Sequence, residues 1–274
     1  MADEILELVK THDKDRYLAS LLIPDEHRDA VLALYAFNVE IARVRNIVSE
    51  PMIGEIRLQW WRDVLKSEDE NAGQGHPVAT ALLDTIATYN LDVGSFDKMI
   101  AARASDLYDD LFNDWVQFEG YAGESTSLLF NEAAKIMGEQ PGRELADAAG
   151  YAGVVWRLVE VIRSFAFDSA NTKIYVPKYE LDRFNVTADA IYKGRVDQGF
   201  GDLWRAVLVH IRERYDEFRQ SAAGLSAGGK LVFRHMTLVE PYLKRAEKLD
   251  YNPFQSPLEI SQLQSQWRFW RYSL

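Results

Sequence analysis

The spacing of apolar residues is the feature that most constrains how this chain can fold. Apolar residues recur every three or four positions along almost all of the 274 residues, and sustained two-residue alternation is absent. A period of three to four residues places apolar side chains on one face of an α-helix, whereas alternation would indicate a half-buried strand. The pattern therefore predicts a protein that is almost entirely helical.

Prolines, glycines and polar clusters divide this pattern into separate helices. Pro24 and Pro77 favour helix starts, because the first turn of a helix leaves the backbone N–H unpaired in any case. The predicted helices span about 24–50, 52–66, 77–89, 95–111, 114–138, 142–168, 199–222 and 228–247. Residues 173–177 are the one strand-like piece. No linker or internal repeat marks a boundary, so we expect residues 1–274 to form a single domain.

The composition excludes several functional classes. The chain has 42 acidic and 31 basic side chains, a formal net charge of −11, so its bulk charge repels the phosphates of nucleic acid. It has no cysteine, which excludes disulfides and thiolate catalysis. Residues 1–4 lack the basic flank of a signal peptide, and no apolar run approaches the roughly 20 residues of a membrane span. We therefore expect a cytoplasmic protein that does not bind nucleic acid.

Three carboxylates, Asp106, Asp109 and Asp110, would share one face of a helix. Such a cluster could hold a hydrated Mg²⁺ ion. Carboxylates near a helix C-terminus oppose the helix dipole, however, which favours a solvated turn at this point, and this is the interpretation we prefer. The five histidines show no spacing typical of a metal site.

Two segments are rich in tryptophan. Trp60 and Trp61 are predicted to pack into the core, since tryptophan is usually buried. In the aromatic and basic tail, 250–274, Trp267 and Trp270 lie three residues apart and would share a helical face with arginines beside it. This pattern suits either a tail folded back over the core or a peripheral contact with a membrane.

A series of short segments, in order along the chain, resembles the squalene/phytoene synthase family. These segments are 12–24, 33–37, 59–63, 76–78, 120–125, 162–163 and 173–177. The resemblance covers roughly residues 12–190 and depends on the ordered spacing of the segments. It implies an all-α isoprenoid (terpenoid) synthase fold with a central cavity. It also implies an enzyme that joins two prenyl diphosphates head to head, with Mg²⁺ held by two aspartate-rich motifs on facing helices.

The residues at these two motifs depart from the family pattern. In the first motif, the three carboxylates are replaced by Ala42, Arg43 and Asn46. In the second motif, Ser164 replaces one aspartate and Asp168 retains the other. A guanidinium at position 43 would repel Mg²⁺. We therefore assign no catalytic residue, and expect no metal site and no cofactor; Mg²⁺ is expected only if the protein is an active synthase.

Charged and polar side chains near the motif positions are candidates for binding an anion or a lipid in the cavity. They are Arg16, Glu40, Arg43, Arg45, Glu160, Arg163, Asp168, Lys173 and Tyr175. Guanidinium groups bind phosphate through paired hydrogen bonds. Alternatively, the cations pair with Glu40, Glu160 and Asp168 in an internal salt-bridge network. We prefer this second interpretation, because an unpaired buried charge is costly.

Residues 36–61 most closely resemble a divergent branch of the family. That branch contains the mitochondrial assembly factor of respiratory complex I, in which the aspartate motifs are similarly lost. The resemblance implies a non-catalytic factor in the assembly of complex I or a related membrane complex, peripheral to the inner face of the cell membrane. Its partners would be complex I subunits, assembly proteins or a prenyl-like lipid. The alternative function is an active prenyltransferase with an altered metal site.

Overall fold

The computed structural model describes residues 2–69, 71–108, 110–248 and 251–271, and in these ranges the secondary structure is helical with no β-strand. The helices, in chain order, are α1 (Ala2–His12), α2 (Lys14–Ser20), α3 (Asp25–Ile47), α4 (Pro51–Lys66), α5 (Pro77–Tyr89), α6 (Val93–Ser105), α7 (Trp115–Ala122), α8 (Leu128–Ile136), α9 (Arg143–Ala170), α10 (Lys178–Arg183), α11 (Ala188–Tyr192), α12 (Gln198–Ser221), α13 (Ala227–Val232), α14 (Val239–Ala246) and α15 (Gln262–Arg271). The prediction of an all-α fold is confirmed.

The central helices are α3 and α9. Their buried residues lie on nearly all sides, as in the stretches 31–39 and 152–159. A helix that is apolar all round must be surrounded by other elements. Accordingly α3 packs against α1, α5 and α8, while α9 packs against α8, α12 and α14.

The predicted helix 114–138 is divided by a π-helical turn, Gly123–Ser127. Close packing against α9 accounts for this turn. A Cβ atom at Gly153 would lie 2.1 Å from the Oγ of Ser127, so only glycine allows the two segments to approach this closely. The Ser127 hydroxyl also donates a hydrogen bond to the carbonyl oxygen of Gly150 at 3.0 Å.

Two other predicted helices differ from those observed. The predicted helix 95–111 ends at Ser105, six residues early. The predicted helix 228–247 is interrupted by a 3₁₀ turn, Arg234–Leu238, between α13 and α14. By contrast, α5 has the predicted bounds, and α3 begins directly after Pro24.

The strand-like segment 173–177 is not a strand in the described part of the chain. Residues 174–176 are buried, so the apolar run reflects a connector that crosses the interior. The chain just after it is fixed by the backbone N–H of Lys178, which donates to the carbonyl oxygen of Phe112 at 2.7 Å. A short apolar run of this kind does not distinguish a strand from a buried connector.

The two neighbouring tryptophans have different environments. Trp61 is buried and makes an edge-to-face contact with Phe37, with ring centroids 5.1 Å apart. Trp60 is 38% exposed, so the prediction that both pack into the core is right for Trp61 and wrong for Trp60. Adjacent residues on a helix point about 100° apart, so only one of the two can face the interior directly.

The tail forms helix α15, which has one buried and one exposed face. Ser265 and Phe269 are buried, whereas Leu263, Trp267 and Trp270 are 79%, 47% and 83% exposed. The tail thus folds back on the core through one face and presents an apolar surface on the other. Among the described helices, none combines the length and the apolar composition that crossing a bilayer requires.

Candidate functional site

A cavity of about 430 Å³ lies between the C-terminal halves of α3 and α9. The residues that stand at the altered motif positions all line it: Ala42, Arg43, Asn46, Ser164 and Asp168. Residues three or four apart share a helix face, which is why positions 39, 42 and 46 of α3 and positions 157, 160, 164 and 168 of α9 point into one space. The structure therefore brings the two motif regions together.

Other predicted site residues take different positions around this cavity. Those that line it are Arg45, Glu160, Arg163 and Tyr175. Arg16 lies behind the cavity floor and is only 1% exposed. Glu40 and Lys173 are outside the lining, although Lys173 donates a hydrogen bond to the carbonyl oxygen of Tyr108.

Arg16 is the most deeply buried charge at the site. Its Nη1 atom donates to Asp13 Oδ2 at 2.6 Å and to Glu160 Oε1 at 3.3 Å. Its guanidinium carbon is 5.6 Å from the ring of Trp156 and 5.7 Å from the ring of Phe130, within the range of cation–π attraction. Two carboxylates and these rings replace the water that the guanidinium loses on burial.

Glu160 connects Arg16 to a second guanidinium. Its Oε2 atom accepts a hydrogen bond from Arg157 Nη1 at 3.1 Å. Burial raises the pKa of Glu160, but the positive charges of Arg16, Arg157 and Arg103 outweigh that effect, so the pKa lies below its ordinary value. The carboxylate is therefore ionised at neutral pH and is already shared between two arginines.

Asp106 forms a second buried network on the opposite wall. It accepts hydrogen bonds from the hydroxyl of Tyr121 at 2.8 Å, from the hydroxyl of Tyr175 at 3.1 Å and from Arg103 Nη1 at 3.4 Å. Burial raises the pKa of Tyr121 to about 12, so its hydroxyl stays protonated and remains a donor. Arg45 Nη1 donates to the backbone oxygen of Asp106 at 2.7 Å.

The predicted solvated turn is therefore wrong for Asp106. Asp106 is 4% exposed, whereas Asp110 is exposed and Asp109 lies outside the described residues. Because α6 ends at Ser105, the side chain of Asp106 can turn inward beside Arg103, one helical turn earlier.

Arg163 pairs with a residue that the sequence did not single out. Its Nη1 atom donates to Asp15 Oδ2 at 3.0 Å, and the hydroxyl of Tyr242 donates to the same oxygen at 2.6 Å. Arg163 also lies over the Tyr242 ring, 4.7 Å from its centroid. This arrangement links α2, α9 and α14 at one edge of the cavity.

The predicted internal salt-bridge network is present, but of its three predicted acids only Glu160 takes part, and Asp168 and Glu40 do not. Glu160 pairs with arginines as expected. Asp168, however, accepts a hydrogen bond from the Ser164 hydroxyl, and burial raises its pKa. Within the described residues neither Glu40 nor Arg43 forms an ion pair or a hydrogen bond, although half-buried Arg43 lines the cavity.

The side chains at the motif positions do not fit the Mg²⁺ ions that the resemblance implies. Mg²⁺ requires near-octahedral oxygen ligands, usually with carboxylates among them. Asp168 is the one carboxylate at these positions, and it lies in a cavity that also holds the guanidinium of Arg43. Among the residues that the structure describes, no three or more His, Asp or Glu side chains converge on a common ion position.

Residues 9–271 match the squalene/phytoene synthase family. Complex I assembly factor 6 of NADH dehydrogenase (ubiquinone) from Homo sapiens is 26% identical over 254 residues, which are 93% of this chain and 76% of that protein. The chloroplastic phytoene synthase from Daucus carota is 26% identical over 262 residues, which are 92% of this chain and 65% of that protein.

Solved structures of the same kind superpose on this chain. A dehydrosqualene synthase gives a TM-score of 0.83 at 16% identity, covering 98% of this chain and 93% of that chain. A squalene synthase from Alicyclobacillus acidocaldarius gives 0.78 at 20% identity, covering 92% and 95%. These superpositions confirm the predicted isoprenoid synthase fold. The chain belongs to the squalene/phytoene synthase family, in a divergent branch similar both to complex I assembly factor 6 and to phytoene synthases.

Proposed function

We propose that this protein is a pseudoenzyme that assists the assembly of respiratory complex I or a related membrane complex. The observation that carries the proposal is the pairing of Glu160 with both Arg16 and Arg157 on the cavity floor. The similarity to complex I assembly factor 6 along 93% of the chain supports the assembly role.

The charge arrangement argues against prenyl-diphosphate ionisation. Departure of diphosphate creates an allylic carbocation, so metal ions must neutralise the leaving group while an apolar cavity excludes water. Here Glu160 is already paired with Arg157 and Asp106 with Arg103, and the hydroxyl of Tyr175 also donates to Asp106. A metal ion would have to displace those donors. It would then lie beside the guanidinium of Arg43, and the two positive charges would repel each other. The fold then serves as a scaffold for binding.

The exposed face of α15 supports a location of this protein at a membrane surface. Leu263, Trp267 and Trp270 are exposed on this helix, with Arg268 and Arg271 next to them. Aromatic rings and arginines on one amphipathic helix favour the boundary between lipid headgroups and acyl chains. The protein would thus be a peripheral component on the cytoplasmic side of the membrane, where complex I subunits, other assembly proteins or a prenyl-like lipid are within reach.

The second candidate function is an active prenyltransferase, which the similarity to phytoene synthases favours. Deletion of the gene, followed by paired assays of complex I activity and of carotenoid or hopanoid content, separates the two. The assembly role predicts that complex I activity falls while isoprenoid products are unchanged. Conversion of farnesyl or geranylgeranyl diphosphate to a head-to-head product by the purified protein with Mg²⁺ would contradict it.

A further inference from the structure

A second pocket, of about 260 Å³, lies between α14 and α15 and is lined mainly by basic side chains. Lys244, Arg245 and Lys248 line it from the end of α14 and the residues just after, and Arg268 lines it from α15. Among the described lining residues, Glu259 is the one with an acidic side chain. The chain as a whole has a net charge of −11, so this concentration of cations is a local feature.

Two of these cations keep their full charge. Arg245 Nη1 donates to the backbone carbonyl oxygen of Glu259 at 2.9 Å, a contact that orients the guanidinium without neutralising it. In the part of the chain that the structure describes, neither Arg245 nor Lys248 forms an ion pair, whereas Lys244 pairs with Glu240 at 3.2 Å. An oriented guanidinium beside an ammonium group suits the oxygens of a phosphate.

The pocket adjoins the exposed aromatic face of α15. Successive residues of an α-helix are rotated by about 100° around its axis. Phe269 is buried, Arg268 faces the pocket, and Trp267 is 47% exposed. Because these three residues are consecutive, the buried face, the pocket face and the aromatic face follow one another around the helix.

This order of faces places the pocket at the level of lipid phosphates when the aromatic face contacts a membrane. Tryptophan rings favour the boundary between headgroups and acyl chains, and the phosphates of the headgroups lie just outside that boundary. Basic side chains at this level attract acidic lipids. The volume of about 260 Å³ is below the usual range for drug-sized ligands, so it suits a headgroup and excludes a whole lipid.

We propose that the pocket between α14 and α15 binds the phosphate of an acidic phospholipid headgroup through Arg245 and Lys248, while Trp267 and Trp270 enter the lipid boundary beside it. The proposal rests on the proposed function in one respect, the location of this protein at a membrane surface. Its test uses purified protein and vesicles, so its failure leaves the assembly role, which deletion of the gene tests, unaffected.

The test is sedimentation of the full chain with two kinds of phosphatidylcholine vesicle. One kind carries phosphatidylglycerol, and the other carries oleate at the same surface charge, so that a carboxylate replaces the acidic phosphate. We expect the parent to prefer the phosphatidylglycerol vesicles. The double substitution Arg245→Gln and Lys248→Gln should weaken binding to them about tenfold and abolish the preference.

The loss of preference is the diagnostic result, because removing two positive charges from any surface that faces the membrane also lowers affinity in general. Lys98→Gln with Arg195→Gln is the matched control, since it removes the same charge at exposed positions outside the pocket and should keep the preference. Arg245→Lys with Lys248→Arg retains both charges and should bind phosphatidylglycerol vesicles more tightly than the glutamine variant does. If urea unfolding shows that the glutamine variant is destabilised, the single substitution Lys248→Gln, at an exposed position, takes its place.

Three results would overturn the proposal. The first is equal binding of the parent to the two kinds of vesicle, and the second is a folded glutamine variant that keeps the preference. The third is binding of inorganic phosphate in solution that requires Arg245 and Lys248, without any preference for phosphatidylglycerol, which would identify a soluble phosphate compound as the ligand.

Discussion

Arg16 and Glu160 lie 144 positions apart in the sequence, yet Nη1 of the first and Oε1 of the second are 3.3 Å apart. This contact joins α2 to α9 beneath the cavity. Because Arg16 is 1% exposed, its buried positive charge is stabilised by the carboxylates around it instead of by water. The pair is therefore part of the folded core as well as of the candidate site, and its removal affects both.

Substitution Glu160→Gln should destabilise the protein by about 2 kcal/mol at neutral pH, since it leaves two buried guanidinium groups with one fewer countercharge. The pKa of Glu160 in the folded protein lies below its ordinary value of 4.5, so its contribution is fully present above that pH and is lost as the pH falls through the lowered pKa. Urea unfolding of the parent and the variant at pH 7 and at pH 4 and below measures this difference. A gap that stays constant as the pH falls would contradict it.

The fold could be predicted because it depends on local signals. Proline and apolar periodicity located α5 to the residue and the start of α3 to within one residue, although α3 ends at Ile47, before the predicted end at about residue 50. Short helices such as α10 and α11 were missed, because five or six residues hold too few apolar positions to show a period. The π turn Gly123–Ser127 was missed because its cause lies in a contact with a different helix.

The position of the candidate site could be predicted from the sequence, but the hydrogen-bond and ion-pair partners within it could not. The resemblance placed Ala42, Arg43 and Asp168 at the two motifs, and in the structure all three line one cavity. The actual partners of the arginines could not be derived, because side chains such as Asp15 and Asp106 reach the site through tertiary packing that no sequence spacing records. Asp106 was expected in a solvated turn, because local context favours solvent exposure for an aspartate, and Asp15 was not singled out at all.

Substitution Asp168→Asn should change the free energy of unfolding in the opposite direction to Glu160→Gln. Burial raises the pKa of Asp168 above its ordinary value of 3.8, so ionising this carboxyl in the folded state costs free energy at neutral pH. An amide avoids that cost, and its oxygen can still accept the hydrogen bond of the Ser164 hydroxyl. We expect the variant to equal or exceed the parent in stability at pH 7, and the gain to disappear below the ordinary pKa of aspartate. A clear loss of stability at pH 7 would show that ionised Asp168 has a stabilising partner.

Substitution Gly153→Ala should destabilise the fold by about 1–3 kcal/mol, the usual cost of overpacking. The added Cβ would lie 2.1 Å from Ser127 Oγ and 2.4 Å from the Ser127 backbone nitrogen. The backbone nitrogen belongs to the π turn and cannot easily shift away. Gly150→Ala, on the same helix with no atom within 4 Å of the added Cβ, is the matched control. The control should gain roughly 0.5–1 kcal/mol from helix propensity. Equal midpoints of chemical unfolding for the two variants would contradict the proposed role of the glycine.

The exposed face of α15 should bind anionic membranes. Trp270 is 83% exposed and Trp267 is 47% exposed, and the guanidinium carbon of Arg271 lies 4.9 Å from the centre of the Trp267 ring. Exposed tryptophan rings favour the boundary between lipid headgroups and acyl chains, and arginines beside them attract acidic headgroups. Sedimentation with vesicles of phosphatidylglycerol and phosphatidylcholine should carry down the parent protein at low salt. The double substitution Trp267→Ala and Trp270→Ala should reduce the bound fraction several-fold.

Trp60→Ala is the control for that measurement, because Trp60 is 38% exposed on a different helix, α4. If the control lowers vesicle binding as much as the double variant does, the membrane contact lies elsewhere on the molecule. Because the chain has a net charge of −11, attraction to an acidic surface must come from a local basic region, and it should weaken as salt screens that region. Binding that is unchanged between 50 mM and 500 mM salt would therefore contradict the contribution of the arginines. The contribution of the tryptophans is measured separately, by the double variant.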